Sequence, residues 1–190
     1  GFFDASNHVP LIIRDPYMPE AARGRKVDAL TESVDLMPTI LEWMGCSVPT
    51  EANGASLRSW INGETPDLWR KSVFWEFDFR NPVTKRYETA LHLSSDECTL
   101  NVIRDHHYKY VHFTALPPLL FDLKRDPDEL HNLADDPTYG HVIADYAQRL
   151  LSHRMLHAER TLTNAMLSPT GVIYRNEPRG RPDALYARPE

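Results

Sequence analysis

Cysteine and glycine are scarce in this sequence, and several well-known catalytic motifs are absent. The two cysteines, Cys46 and Cys98, are far fewer than a disulfide-stapled secreted domain would carry in 190 residues. We therefore expect both thiols to be reduced, and the lack of an Asn-x-Ser/Thr acceptor also favours a cytoplasmic location. With eight glycines, no glycine-rich phosphate loop and no Gly-x-Ser-x-Gly elbow, the chain shows no self-contained active site.

Long apolar runs and an excess of positive charge are also missing. No run approaches the roughly 18 apolar residues that a membrane-spanning helix needs. The 27 acidic and 21 basic residues give a net charge of -6, the wrong sign for attraction to a phosphate backbone. We therefore expect neither a membrane nor a nucleic acid as a partner. The start at Gly1, without Met or a charged leader, predicts that the sequence begins inside a longer protein.

Residues 1–48 show the pattern of one strand and one helix. The continuous apolar run at 9–14 predicts a strand that is covered on both faces of a layered α/β sheet. Apolar spacing over 31–44 predicts a helix that Ser33 or Asp35 caps and that Gly45 ends. A strand and a packed helix make half of an α/β unit, so the remaining strands would have to precede Gly1.

A second domain is predicted after a linker loop at 49–70, where turn signals cluster. Alternating apolar residues predict strands at 73–79, 99–103, 108–113 and 119–123. Asp136-Pro137 predicts the start of a helix whose apolar stripe packs on that sheet. The stripe comprises Ile143, Ala147, Leu150, Leu151, Met155 and Ala158. We therefore predict a small α+β subdomain over 71–167, a four-stranded antiparallel sheet with a C-terminal helix.

The residues after this subdomain, 168–190, are rich in proline and arginine and lose hydrophobic periodicity. We interpret them as a flexible tail or as an arm that lies on a neighbouring subunit of a homo-oligomer.

Three groups of polar residues are candidates for chemistry. His153 and His157 share one face of the predicted helix, but Arg154 stands where a zinc protease would need glutamate, so structural roles are favoured. Glu76 and Asp78 share one strand face and are interpreted as solvated carboxylates rather than as an acid and base pair. A third group, His106, His107 and His112, is interpreted as belonging to a solvated turn and hairpin. We therefore predict no catalytic and no metal-binding residue in this chain.

Three stretches together resemble the C-terminal half of sulfatases, and particularly the cytoplasmic phosphonate monoester hydrolases. They are residues 1–14, 31–41 and 120–134, with the sequences GFFDASNHVPLIIR, TESVDLMPTIL and LFDLKRDPDELHNLA. The third stretch is the most specific, and the three follow one another in the family's order. The resemblance implies a member of the alkaline phosphatase superfamily, with a large α/β/α layer and a small α+β C-terminal domain.

The resemblance also implies chemistry that this sequence does not contain. Such enzymes use a divalent metal, for example calcium or manganese, and a formylglycine made from a Cys or Ser in a Cys/Ser-x-Pro-x-Arg motif. The nearest stretch here, residues 46–50 (CSVPT), has its proline one position late and no arginine, so it does not match. The nucleophile, the metal ligands and a catalytic lysine are therefore expected upstream of Gly1.

Asp4 and His8 are the two positions predicted to lie near the pocket, because they directly follow the place where the catalytic lysine loop should end. Asp4 as a turn cap and His8 as an interfacial residue are the structural alternatives. The function predicted is that of a C-terminal fragment, inactive alone, which scaffolds a hydrolase of sulfate monoesters or phosphonate or phosphate esters. Its partner would be the N-terminal catalytic part of the same protein. The alternative is a complete, non-catalytic binding or assembly module.

Overall fold

The computed structural model describes residues 1–49, 52–158, 165–168 and 171–174. The α-helices in this part of the chain are α1 (Asp4–Asn7), α2 (Leu36–Trp43), α3 (Arg58–Ile61), α4 (Arg86–Leu91) and α5 (Gly140–Ala158). The strands are β1 (Val73–Asp78), β2 (Thr99–Arg104), β3 (Tyr108–Phe113), β4 (Leu119–Asp122), β5 (Ala165–Ser168) and β6 (Gly171–Tyr174). Short 3-10 helices lie at Glu20–Ala22, Ser33–Asp35, Ser95–Glu97 and Pro137–Tyr139.

The main sheet has four antiparallel strands in the order β1-β2-β3-β4. It is the predicted sheet, and each predicted strand differs from the observed one by at most one residue at an end. The strands succeed one another as a meander, so every neighbour in the sheet is also a neighbour in sequence. Alternation of side chains then sends Ile103 and Tyr110 to one face, and Val102 and Val111 to the other.

Helix α5 covers the first of these faces, as predicted. Asp136 accepts a hydrogen bond from the Thr138 amide at 2.9 Å, so the Asp136-Pro137 signal does open this helical segment. The core between helix and sheet is formed by Ile103, Tyr110, Leu120, Tyr146 and Leu150. The predicted stripe is wrong at Leu151 and Met155, which are exposed. Each helical residue is turned by about 100° from the last, so Leu150 and Leu151 cannot both face the sheet. The Ala158 side chain lies outside the described residues.

The opposite face of the sheet is covered by the first residues of the chain. Its core contains Leu100, Val102, Val111 and Phe121, with Phe2 packed against them. The ring of Phe2 stacks on Phe121 at 6.4 Å and meets Phe113 edge to face at 6.2 Å between centroids. The segment that leads into α1 therefore belongs to the sheet core, although the sequence pattern assigned it to another domain.

Residues 9–14 do not form the strand that their apolar pattern predicts. They have no regular secondary structure, and Ile12 is 91% exposed. A strand needs a neighbour to satisfy its amides and carbonyls, and none of the described residues supplies one to this run. The expectation that it is covered on both faces is therefore wrong for the part of the chain described.

Helix α2 is shorter than predicted and begins at Leu36, after a 3-10 turn. Asp35 occupies the N-cap position but does not cap this helix, because its carboxylate accepts the Glu32 amide at 2.8 Å instead. Gly45 follows the helix with φ +69°, the left-handed conformation expected of a glycine at a helix end. The apolar residues of α2 are largely exposed, including Leu36, Met37 and Ile40.

The predicted linker at 49–70 contains α3 and packs closely on α2. The Ala55 amide donates to Asp35 at 2.8 Å, and the Leu57 amide donates to the Thr39 hydroxyl at 2.9 Å. Gly54 lies so close that an added Cβ would be 2.0 Å from the Val34 carbonyl oxygen. Arg70 then completes a bidentate pair with the fully buried Asp35. The turn signals were therefore correct, but hydrogen bonds and an ion pair hold the described part of this loop against Asp35 and Thr39.

The chain divides into two compact units. One contains Gly1–Pro10 and Ser72–Leu156, and the other contains Leu11–Lys71. The predicted division into 1–48, 49–70, 71–167 and 168–190 stays a prediction. A hairpin of β5 and β6 crosses the predicted start of the tail, while residues 175–190 lie outside the described residues. Among the described helices, none is both long and apolar enough to span a membrane.

Candidate functional site

A lysine on β3 is completely enclosed on the face of the sheet opposite α5. Lys109 lies two residues before Val111 on one strand face, so the strand aims its side chain into an apolar layer. The ammonium nitrogen is 5.9 Å from the Trp75 ring centre and 6.0 Å from that of Phe121. A charge in such surroundings is costly unless it is paired and hydrogen-bonded.

Lys109 is paired by carboxylates from two distant parts of the chain. Its Nζ lies 3.0 Å from Asp4 Oδ1 in α1 and donates a hydrogen bond to Glu129 Oε1. The same nitrogen donates to the Phe2 carbonyl oxygen at 2.9 Å. These three acceptors match the three hydrogens of an ammonium group. We call Asp4, Arg104, Lys109 and Glu129 the lysine cluster.

Arg104 on β2 is the second cation of the lysine cluster. It is paired in register with Lys109, and its guanidinium reaches Asp4 with Nη2 to Oδ2 at 2.9 Å and Nε to Oδ2 at 3.0 Å. Beside it, the Trp75 Nε1 donates to the Gly1 carbonyl oxygen at 3.2 Å. The sheet therefore binds α1 through its acidic residue and also holds two consecutive backbone carbonyls before it.

Glu129 enters the cluster from the stretch that resembles the sulfatases most specifically. It is buried and has φ +57°, a left-handed conformation that is uncommon for a residue with a side chain. Local hydrogen bonds hold this loop, since the Asp126 carboxylate accepts the His131 amide at 2.8 Å and Asn132 Oδ1 accepts the Leu120 amide at 2.9 Å. This stretch therefore holds the loop after β4 in place and connects it to the buried Lys109 through Glu129.

The pKa values of the two carboxyl groups in the lysine cluster shift in opposite directions, because burial and ion pairing compete at each group. Burial raises the pKa of Glu129, the hydrogen bond and charge of Lys109 oppose that rise, and the charge of Asp4 adds to it. Burial also acts to raise the pKa of Asp4, but hydrogen bonds from Arg104 and Lys109 outweigh it and hold that pKa below its usual value. Asp4 is therefore ionised near neutral pH, and it accepts from both cations.

The side chains of the two residues predicted to lie near a pocket, Asp4 and His8, have different surroundings in the structure. Asp4 is in the lysine cluster, where it is the first residue of α1, and its backbone carbonyl accepts the His8 amide at 2.7 Å. The His8 side chain is exposed. Whether either residue lies near a catalytic pocket stays a prediction. Sequence reasoning missed Lys109 and Glu129, although a lysine in the apolar register of a strand and an acidic residue inside the most specific stretch were available signals.

Three residues of the predicted polar groups, Glu76, Asp78 and His112, lie around an open cleft of about 940 Å³ on the α5 side of the sheet. Its polar lining includes Glu76, Asp78, Asn101, His112, Thr114 and Arg154. Glu76 and Asp78 are exposed, as predicted, and Arg154 Nη1 lies 3.4 Å from Glu76 and donates to Asn101 at 2.6 Å. His112 Nδ1 lies 2.9 Å from the Tyr110 hydroxyl oxygen, and the His153 ring stacks on Phe74 at 3.7 Å.

The described residues do not fit a divalent-metal site or an activated thiol. No group of three His, Cys, Asp or Glu side chains in this part of the chain is arranged to hold a metal. In the lysine cluster, two cations already occupy the carboxylates, so a metal there would meet like charges. Cys46 and Cys98 are free thiols, and burial raises the pKa of Cys98, which disfavours the reactive thiolate.

Comparison with known proteins gives one matching family and several relatives. The family described as N-sulphoglucosamine sulphohydrolase, C-terminal, matches residues 2–156. The multifunctional alkaline phosphatase superfamily protein PehA of Trinickia caryophylli is 46% identical over 176 residues, which is 93% of this chain and 34% of that protein. The Delta 4,5-hexuronate-2-O-sulfatase of Bacteroides thetaiotaomicron is 29% identical over 151 residues, 77% of this chain and 28% of that protein.

A solved structure is similar as well. The phosphonate monoester hydrolase of Agrobacterium radiobacter has a TM-score of 0.71 and 42% identity, over 81% of this chain and 31% of that one. The chain therefore spans about a third of the length of these relatives, and the region it matches is their C-terminal part.

Proposed function

Since this chain belongs to the family of N-sulphoglucosamine sulphohydrolase C-terminal regions, we propose that it completes a metal-dependent hydrolase of sulfate monoesters or of phosphonate or phosphate esters. Two of the relatives named above, the Delta 4,5-hexuronate-2-O-sulfatase and the phosphonate monoester hydrolase, are hydrolases of these kinds by their own names. In this proposal the chain is a scaffold, and the nucleophile and metal ligands come from a preceding part of a longer protein. The 190-residue chain alone is then inactive.

The observation that carries the proposal is the uncovered apolar surface in the unit that contains α2. Ile12 is 91% exposed and Met44 is 70% exposed, and Leu36, Met37 and Ile40 on α2 are also exposed. A helix with this pattern buries its apolar side against another layer in an α/β protein. This chain covers only 34% of the length of PehA. In this proposal, a preceding part of the longer protein supplies that layer.

The chemical inventory of the described residues agrees with a scaffold. The two carboxylates of the lysine cluster are occupied, because Asp4 and Glu129 pair with Lys109. The described residues do not fit the divalent metal that such hydrolases use, so this part of the chain would not hold it. What these residues do is hold the first segment of the chain on the sheet.

The test compares the longer protein that ends in this sequence with the 190-residue chain. Both are assayed with manganese or calcium against an aryl sulfate and a phenyl phosphonate ester. Turnover by the longer protein and none by the short chain is the expected result. No turnover by the longer protein on either ester class contradicts the hydrolase proposal, and turnover by the short chain contradicts the scaffold role. A cytoplasmic location stays a prediction.

A further inference from the structure

We propose that Lys109 and Glu129 are positioning residues, which hold Gly1–Asn7 in one place on the sheet so that the active site of the longer enzyme is assembled correctly. This inference rests on the proposed function, because it concerns the segment through which any preceding part of the protein connects to this sheet. It assigns to the pair a role in turnover and not only in stability. Neither residue touches the substrate in this proposal.

The contacts of the sheet with this segment fix its backbone, not only its side chains. Lys109 and Trp75 bind the carbonyl oxygens of Phe2 and Gly1 at 2.9 and 3.2 Å. Asp4, two residues later, is held by Lys109 and Arg104. Together with the packed ring of Phe2, these contacts leave the segment little freedom to slide or rotate.

The lysine cluster is built in a way that simple stability does not favour. Lys109 is 0% exposed, Glu129 holds a left-handed backbone, and its buried Oε2 accepts no hydrogen bond from the described residues. Replacing a buried ion pair by apolar side chains of similar volume is often neutral or stabilising. Backbone strain and unpaired polar atoms concentrate where a protein needs a specific arrangement. The ammonium supplies what an apolar side chain could not, which is a donor directed at the Phe2 carbonyl.

The geometry also gives the pair separate tasks. Lys109 contacts the segment directly, at Phe2 and Asp4. Glu129 contacts Lys109 from the other side and takes up its third hydrogen, so it orients the ammonium toward the segment. Loss of either partner should therefore release the same segment, and loss of both should be little worse than loss of Lys109 alone.

The test uses the longer protein with the double variant K109M/E129Q, which removes both charges together and keeps the side-chain volumes similar. The single variant W75F removes the donor to Gly1 and keeps an aromatic ring. Lys26→Met is the matched control, because Lys26 is exposed and pairs only at the surface with Asp28. For each protein, kcat, KM, the melting temperature and hydrogen exchange of residues 2–7 are measured.

For K109M/E129Q we expect kcat to fall by about 10- to 100-fold, as misplacement of an active-site element by about 1 Å can cause. KM should change by less than about twofold if the defect lies in assembly rather than in substrate binding. Exchange at residues 2–7 should quicken while β2 and β3 stay protected. For W75F the changes should go the same way but be smaller, and Lys26→Met should change nothing.

Two results would overturn the inference. One is unchanged exchange at residues 2–7 in both K109M/E129Q and W75F, which needs no activity and so tests positioning separately. The other is a loss of kcat that appears only near the melting temperature of the variant and is absent well below it, because reduced stability alone would then explain the loss. An inactive wild-type protein would instead contradict the proposed function, and faster exchange in the variants would still support the fixing of the segment.

Discussion

Lys109 and Glu129 lie 20 residues apart in sequence and form an ion pair in which both side chains are buried. The lysine comes from the middle of the sheet and the glutamate from the loop after β4. Because Asp4 joins the same ammonium from the start of the chain, one side chain ties three separate segments together. The stretch at 120–134, which resembles sulfatases most specifically, therefore contributes Glu129 to a contact with Lys109, which lies outside the stretch.

The stability of the sheet unit should depend strongly on this pair. Lys109→Met alone leaves Glu129 without its cation and Asp4 with Arg104 alone, and it should cost about 3–5 kcal/mol, the usual penalty for breaking a buried pair. The double variant K109M/E129Q removes both charges and should recover a large part of that loss. Urea unfolding of the dilute 190-residue chain, followed by tryptophan fluorescence, measures the free energy of unfolding. Equal losses in the single and double variants would contradict this coupling.

Asp105 should make the same unit sensitive to acid. Burial acts to raise the pKa of Asp105, but hydrogen bonds from the Tyr146 hydroxyl and from the Tyr108 and His107 amides lower it overall. A lowered pKa contributes stability that is complete above the ordinary value of about 3.9 and is lost as pH falls through the folded value. Asp105→Asn should therefore cost about 1.5–3 kcal/mol at pH 7, because it removes the charge that accepts these hydrogen bonds and replaces Oδ2, the acceptor of the Tyr146 hydroxyl, with an amide NH2.

The measurement is unfolding of the wild type and Asp105→Asn between pH 7 and pH 3. The difference in the free energy of unfolding between the wild type and Asp105→Asn should stay constant down to about pH 5 and become smaller below about pH 4. Asp128→Asn is a suitable control, because Asp128 is exposed to solvent. A difference that does not depend on pH over this range would show that the charge of Asp105 contributes nothing.

The exposed apolar residues of α2 should make the short chain associate. Ile40 is 49% exposed on this helix, and an uncovered apolar surface of several residues is an aggregation hazard. Ile40→Lys should therefore raise the concentration at which the 190-residue chain stays monodisperse, measured by light scattering. Leu151→Lys is the control, because Leu151 is 60% exposed on α5 and should have little effect. If the unmodified chain is already monodisperse, a complete binding module becomes the better interpretation.

The sheet and α5 could be predicted because their signals are local. Alternation in β1 to β4 and the Asp136-Pro137 start depend on neighbours in sequence, and all of them were found. Residues 9–14 could not be assigned correctly, because a continuous apolar run forms a strand only when another strand lies beside it. The β5–β6 hairpin was missed because the surrounding prolines and arginines dominate the composition there.

The candidate site was harder to predict than the fold, because it depends on contacts between distant residues. Asp4 was singled out for its position in the resembling stretch, but nothing local indicated that Lys109 is its partner. A lysine in a half-buried strand is ordinarily interpreted as solvent-facing. The pairing becomes visible only when the register places Arg104 beside Lys109 and the loop brings Glu129 over them.

The arginine-rich end of the chain gives a last prediction, which concerns assembly. Residues 175–190 contain Arg175, Arg179, Arg181 and Arg188 among several prolines, a composition that can lie along a neighbouring subunit at low entropic cost. Deleting 175–190 keeps the β5–β6 hairpin and should lower the mass of the longer protein in light scattering to that of a smaller oligomer. Replacing the four arginines by glutamine should weaken assembly in the same direction if charge contributes. An unchanged mass in both variants would mean that this segment is not an oligomer arm.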